Sequence, residues 1–207
     1  MLDSLSINLL KNPLAFAALQ LDKGGFKANH VTLVGFVLGV LALPCLIWQR
    51  YDLALAFILL NRLFDGLDGA LARIHGLTDA GGFLDISLDF LFYSLVPLGF
   101  VLAEPEQNAI AGALLIFSFV GTGSSFLAFA VMAAKQNIDD SIYSNKSLYY
   151  MAGLTGGTET IICFVLFCLL PNYFAIIAYL FALLCFITTF SRIYSGFNTL
   201  YQREQQQ

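Results

Sequence analysis

Between Asp65 and Asp89 the chain reads DGLDGALARIHGLTDAGGFLDISLD, five aspartates and one arginine set among apolar segments. Carboxylates gathered in this way hold hard cations or move protons. At about 100° per residue, Asp65, Asp68, Gly69, Ala72 and Arg73 share one face of a helix, with Asn61 and Arg62 one turn deeper. Thr78, Gly81, Asp85 and Asp89 form a narrower stripe on the helix that follows. A short turn near Leu77 joins the two. In an antiparallel pair the spacing brings Asp65, Asp68, Asp85 and Asp89 to similar depth, while Asp79 falls in the turn as a solvated residue.

Each aspartate in mid-membrane costs roughly 2.5–3.5 kcal/mol on insertion scales. Arg62 and Arg73 offset two of the four at most. The remaining charge needs protons or cations. An all-oxygen donor set suits Mg²⁺, Mn²⁺ or Ca²⁺, and without His or Cys in the cluster it argues against zinc. Buried ion pairs that merely hold two helices together are the bland alternative, and a cation or proton pathway is the rival function. Gly69 and Gly81 weigh against a pathway, because each flanks the carboxylates where a missing side chain lets a ligand reach the backbone. Arg73, near the cytosolic mouth, is placed to hold a phosphate. Together these groups describe a pyrophosphate-handling site, in which two metals can stabilise both oxygens of an in-line displacement.

The elements that must position this site are membrane helices. The 207 residues are 58% hydrophobic and 12% charged, where soluble domains run near 45–50% and 25%. Uncharged runs cover 31–48, 109–134 and 160–190, the last broken by Pro171 and Asn172. With about 20 residues per crossing, six spans are expected at about 31–49, 53–75, 82–103, 109–134, 153–170 and 173–193. The expected fold is thus all-α and integral to the membrane, one domain over 1–207, with an arm at 1–30, a six-helix bundle at 31–193 and a tail at 194–207. Leu2, Leu5 and Leu9 share a helical face, so the arm is expected as an amphipathic helix on the cytosolic surface.

Charge placement sets orientation. Lys11, Lys23, Lys27, Arg73, Lys135, Lys146, Arg192 and Arg203 fall on one side and only Arg50 on the other, which puts both termini in the cytosol. No cleavable signal peptide is visible. Cys45, Cys163, Cys168 and Cys185 lie in spans without metal or disulfide spacing and read as packing residues. Membrane lipids are the expected surroundings, and no nucleic-acid partner is expected. The longest loop, 135–154, carries lysines and tyrosines and leans towards function.

The aspartate stretch, written D-x2-D-G-x2-A-R-x7-G-x3-D-x3-D, resembles the signature of the CDP-alcohol phosphotransferase family, integral membrane enzymes of phospholipid synthesis. Length, span count and motif position resemble that family over the whole chain, including a bacterial inner-membrane branch. The resemblance implies that Asp65, Asp68, Asp85 and Asp89 hold two divalent ions, Mg²⁺ or Mn²⁺, and that Asp89 is also the general base. It implies that Gly69, Arg73 and Thr78 contact the CDP moiety. The stretch 28–32, ANHVT, is similar to a family Pro-Asn-x-x-Thr pattern that would add Asn29 and Thr32, with Ala28 in place of the proline. The implied donor is CDP-diacylglycerol or another CDP-alcohol, and the implied acceptor is a small polar or lipid hydroxyl. A homodimer in the bacterial inner membrane is implied as well.

An acceptor phosphate would call for two or three basic groups. Lys135, Lys146 and Arg192, with Glu159, are the candidates for that pocket, while a Glu159–Arg192 ion pair is the plainer reading. The small residues of 121–126, GTGSSF, are expected in close helix packing, and His30 and His75 at the membrane boundaries.

Overall fold

Apolar periodicity fails at Gly24–Gly25, around Gln49, at Gly76 and at Glu104, and helices fill the intervals between these points. A computed structural model describes residues 3–136 and 154–205, with side chains from Lys11 onward. It contains α1 (Asp3–Lys23), α2 (Ala28–Ile47), α3 (Tyr51–His75), α4 (Asp79–Ala103), α5 (Pro105–Lys135), α6 (Gly157–Leu169), a 3-10 turn (Pro171–Tyr173) and α7 (Phe174–Glu204). No strand occurs among the described residues. Gly76 takes φ 93°, a left-handed conformation that lets the chain reverse between α3 and α4. Thr78 then caps α4, its Oγ1 accepting from the Gly81 N–H at 3.1 Å. Asp79, expected in the turn, is the first residue of α4 and is exposed there.

Among the described residues, four segments are long and apolar enough to cross a membrane: α2, α4, α5, and the 3-10 turn together with α7. The other two expected spans differ for separate reasons. Helix α3 has the length, 25 residues, but carries the charged face that lowers its hydropathy. Helix α6 has only 13 residues, about 20 Å of rise against a hydrocarbon core of about 30 Å. Helix α7 runs past the expected end of its span to Glu204. Its extension is held by packing, with Gly196 seated against Phe129 of α5.

Helix α2 packs against both α3 and α4, α4 packs on α5, and α5 packs on α7. The α2 contacts are close because two glycines face them. A Cβ on Gly35 would stand 2.7 Å from Phe64 Cβ, and one on Gly39 would stand 2.7 Å from Phe92 Cδ2. Helix α1 lies along α3, with Leu14 and Leu21 packed around buried Ala18, Ala70 and Leu71. Its apolar surface is therefore partly spent on the protein; the Leu2, Leu5 and Leu9 side chains lie outside the described residues. The main core is aromatic. Phe92, Phe100, Phe164, Phe167 and Phe174 are all fully buried, and Phe100 stacks on Phe174 at 4.7 Å. This core fills the end of the bundle away from the α3–α4 turn. Cys163, Cys168 and Cys185 are buried free thiols, in keeping with a packing role.

Candidate active site

The carboxylates stand where α3 and α4 leave their common turn. Asp65, Asp68 and Asp85 each direct an oxygen to within 4.8 Å of the other two. They open onto a cleft lined by Thr32, Gly35 and Phe36 of α2, Asn61, Arg62, Asp65 and Asp68 of α3, and Asp85, Leu88 and Asp89 of α4. The face of α3 and the stripe of α4 expected from the sequence thus meet, and α2 closes the third side.

Asp89 joins the cleft in a different way. Its Oδ1 accepts from Arg62 Nη2 at 2.7 Å, and Arg62 Nη1 lies 3.6 Å from Asp65 Oδ2. The guanidinium is itself anchored. Asn61 Oδ1 accepts from Nε at 2.8 Å and from Nη2 at 2.6 Å, while Tyr93 Oη accepts from Nη1 at 3.2 Å. The Phe92 ring lies under it at 4.6 Å. Asn61 Nδ2 in turn donates to the Gly35 carbonyl at 2.9 Å, which ties α3 to α2. The sequence presents Arg62 as a counter-charge and is silent on Tyr93. Only the i+4 step from Asp85 and Asp89 hints that Tyr93 shares their stripe.

The donor set fits a hard divalent cation. Asp68 is buried, at 5% exposure, and its Oδ2 has no hydrogen-bond partner. Among the described residues no Lys or Arg pairs with Asp68 or Asp85. A buried carboxylate oxygen without a partner is costly, and an all-oxygen trio at this spacing is the ligand type that Mg²⁺ or Mn²⁺ takes.

The remaining candidates sort by position. Thr32 lines the cleft. Asn29 and Thr78 meet over Gly81, where a Cβ would lie 3.2 Å from Asn29 Oδ1 and 2.9 Å from Thr78 Oγ1. Arg73 folds back over Gly69, its Nη1 3.7 Å from where a Cβ would be. These groups form a rim around the carboxylates, with Arg73 and Thr78 on the side of the α3–α4 turn. Arg192 donates from Nη1 to the Thr122 carbonyl at 3.1 Å and lies over the Phe126 ring at 5.6 Å. Gly123, next to Thr122, seats the ring of Phe90, so Arg192 stands at the level of Asp89. Glu159 Oε2 accepts from the Gly156 N–H at 3.1 Å and caps α6. Lys135 is the exposed last residue of α5, about 18 Å along the helix from Gly123. Lys146 and most of the 135–154 loop lie outside the described residues. Gly121 and Gly123 are spent on packing within the chain, against Thr189 and Phe90.

Residues 26–191 match a family model described as CDP-alcohol phosphatidyltransferase. The chain belongs to the CDP-alcohol phosphatidyltransferase family. It is 63% identical over 186 residues to the inner membrane protein YnjF of Escherichia coli (strain K12), covering 90% of each chain. It is 31% identical over 112 residues to archaetidylinositol phosphate synthase of Pyrococcus horikoshii, covering 54% of this chain and 60% of that one. In fold it is similar to the crystal structure of Mycobacterium tuberculosis phosphatidylinositol phosphate synthase with CDP-DAG bound. The TM-score is 0.65, the identity 19%, and the coverage 88% of this chain and 92% of that chain. Membership of the family makes this chain a membrane transferase of phospholipid biosynthesis, and the cleft is where that chemistry must be sought.

Proposed function

We propose that this protein transfers a phosphatidyl, or other phospho-alcohol, group from a CDP-alcohol to a hydroxyl acceptor and releases CMP. CDP-diacylglycerol is the proposed donor. Its support is the CDP-DAG held by the Mycobacterium tuberculosis enzyme of similar fold. The observation that carries the reading is the oxygen trio of Asp65, Asp68 and Asp85, in which Asp68 has a buried Oδ2 without a hydrogen-bond partner.

Asp65, Asp68, Asp85 and Asp89 are proposed to hold two divalent ions, Mg²⁺ or Mn²⁺. When bound, these would supply positive charge to the diphosphate and to the departing CMP oxygen. The rim residues Asn29, Thr32, Gly69, Arg73 and Thr78 orient the CDP moiety. Asp89 takes the proton from the acceptor hydroxyl. The freed oxygen pair attacks the β-phosphorus, the bond from that phosphorus to the bridging oxygen breaks, and CMP leaves with the electron pair. Asp89 then returns its proton to solvent. Arg192, at the depth of Asp89, is the first choice for the acceptor side, with Lys135, Lys146 and Glu159 as the further candidates.

A transport pathway finds less support. Below Arg62 the bundle is filled by buried Phe92, Phe164, Phe167 and Phe174. The proposed topology keeps six crossings with both termini cytosolic, α3 turning its charges inward and α6 completing its crossing through the 3-10 turn. Helix α1 rests on the cytosolic surface against α3, and the enzyme works in the bacterial inner membrane as a homodimer.

The test is release of CMP from CDP-diacylglycerol by the purified protein, with and without Mn²⁺ or Mg²⁺. The acceptors are glycerol 3-phosphate, inositol phosphate, serine and phosphatidylglycerol. Metal-dependent CMP release with one acceptor is the expected result. Ion flux in liposomes without nucleotide would favour the transporter instead.

A further inference from the structure

The guanidinium of Arg62 is immobilised more thoroughly than a counter-charge requires. Three of its nitrogens are committed to side chains of α3 and α4: Asn61 by two bonds, Tyr93 by one and Asp89 by one. Phe92 and Tyr93 present their rings to it at 4.6 and 5.2 Å. Behind them Gly39 of α2 lets Asn61 and Phe92 pack closely against the helix, since a Cβ there would lie 2.9 Å from Asn61 Nδ2 and 2.7 Å from Phe92 Cδ2. The group is a planar fork used on several edges at once, a geometry a lysine ammonium cannot reproduce.

We infer that Arg62 is a positioning residue for Asp89, holding its Oδ1 so that the carboxylate stays aimed at the acceptor and is not drawn wholly into the metal set. This inference rests on the proposed role of Asp89 as the base. Arg62 reaches Asp89 at 2.7 Å and Asp65 at 3.6 Å, so one fixed cation touches both helices of the carboxylate cluster. It competes with a divalent ion for Asp89 while preventing that side chain from rotating. Two consequences of opposite sign follow from its removal. The cluster becomes more negative and binds a divalent cation more tightly, while the base loses its aim and turnover falls. A scaffolding arginine would lower both together.

The experiment uses the full chain in detergent or nanodiscs and compares the parent with R62Q, R62K and Y93F. Mn²⁺ binding is measured without nucleotide by the electron spin resonance of free Mn²⁺, beside kcat and KM for CMP release. For R62Q the expected result is a kcat lower by about 10²-fold, the scale of a misplaced reacting group. Its KM for CDP-diacylglycerol should be little changed and its Mn²⁺ affinity higher. R62K should return Mn²⁺ affinity towards the parent value without restoring kcat, and Y93F should lower kcat by a smaller factor at parent Mn²⁺ affinity. Parent turnover in R62Q overturns the inference, as does loss of Mn²⁺ affinity in step with kcat. If R62Q does not fold, R62K and Y93F carry the same comparison. If the parent itself releases no CMP with any acceptor, the proposed function fails, and the sign of the Mn²⁺ change still decides whether Arg62 opposes metal at the cluster.

Discussion

Asp68 of α3 and Asp85 of α4 bring carboxylate oxygens within 4.8 Å of each other, and Oδ2 of Asp68 is buried without a hydrogen-bond partner. Two anions approach this closely only when something between them supplies positive charge or a proton. The bare cluster is therefore a stored cost that a ligand relieves, and it makes stability and function separable.

Asp68→Asn should stabilise the metal-free protein and abolish its response to metal. A buried unsatisfied polar atom costs about 1–3 kcal/mol, and the amide can donate where the carboxylate cannot. Thermal unfolding should show a higher midpoint without Mn²⁺, no further rise on adding it, and no CMP release. A variant that still gains stability from Mn²⁺ would remove Asp68 from the ligand set.

Asp89→Asn should lower CMP release by about 10²-fold or more, the usual contribution of a positioned base. CDP-lipid binding should survive, because the residues proposed to orient the nucleotide are untouched. Equilibrium binding and single-turnover CMP formation separate the two effects. Unchanged turnover would sink the assignment of the base.

Gly39→Ala should act at a distance from the carboxylates. The new methyl would meet Phe92 Cδ2 at 2.7 Å and Asn61 Nδ2 at 2.9 Å, and ring and amide are both held in place. Overpacking of this kind costs about 1–3 kcal/mol. A lower melting midpoint with reduced CMP release is expected; a fully active, equally stable variant would mean that α2 can shift.

Arg192→Gln tests the acceptor side. If the guanidinium meets an acceptor phosphate, KM for the phosphorylated acceptor should rise about tenfold or more, since charged hydrogen bonds are worth about 1.5–3 kcal/mol. KM for the CDP-alcohol should stay where it was. Equal changes in both would make Arg192 a helix-packing residue through its bond to the Thr122 carbonyl.

Much of this protein is determined by the sequence alone, because membrane helices follow local rules. A backbone in lipid must satisfy its own hydrogen bonds, so apolar runs become helices and turn residues mark their ends. The α3–α4 pair was equally legible. A short turn forces two helices antiparallel, and the fixed angular step per residue then gathers Asp65 and Asp68 on one face of α3 and Asp85 and Asp89 on one face of α4.

Tertiary structure decided what lies between and around those groups. Which helix closes the cleft is a matter of Gly35 and Gly39 meeting Phe64 and Phe92 across α2, contacts between residues far apart in the chain. That Arg62 takes Asp89 by the Oδ1, with Tyr93 and Asn61 to hold it, depends on side-chain directions that no spacing specifies. Arg192 meets the Thr122 carbonyl where α5 and α7 approach closely through Gly121 and Thr189. Sequence periodicity fixes the angle of a residue on its own helix. The rotation and depth of one helix against another are set by interlocking surfaces, and those exist only once the bundle is assembled.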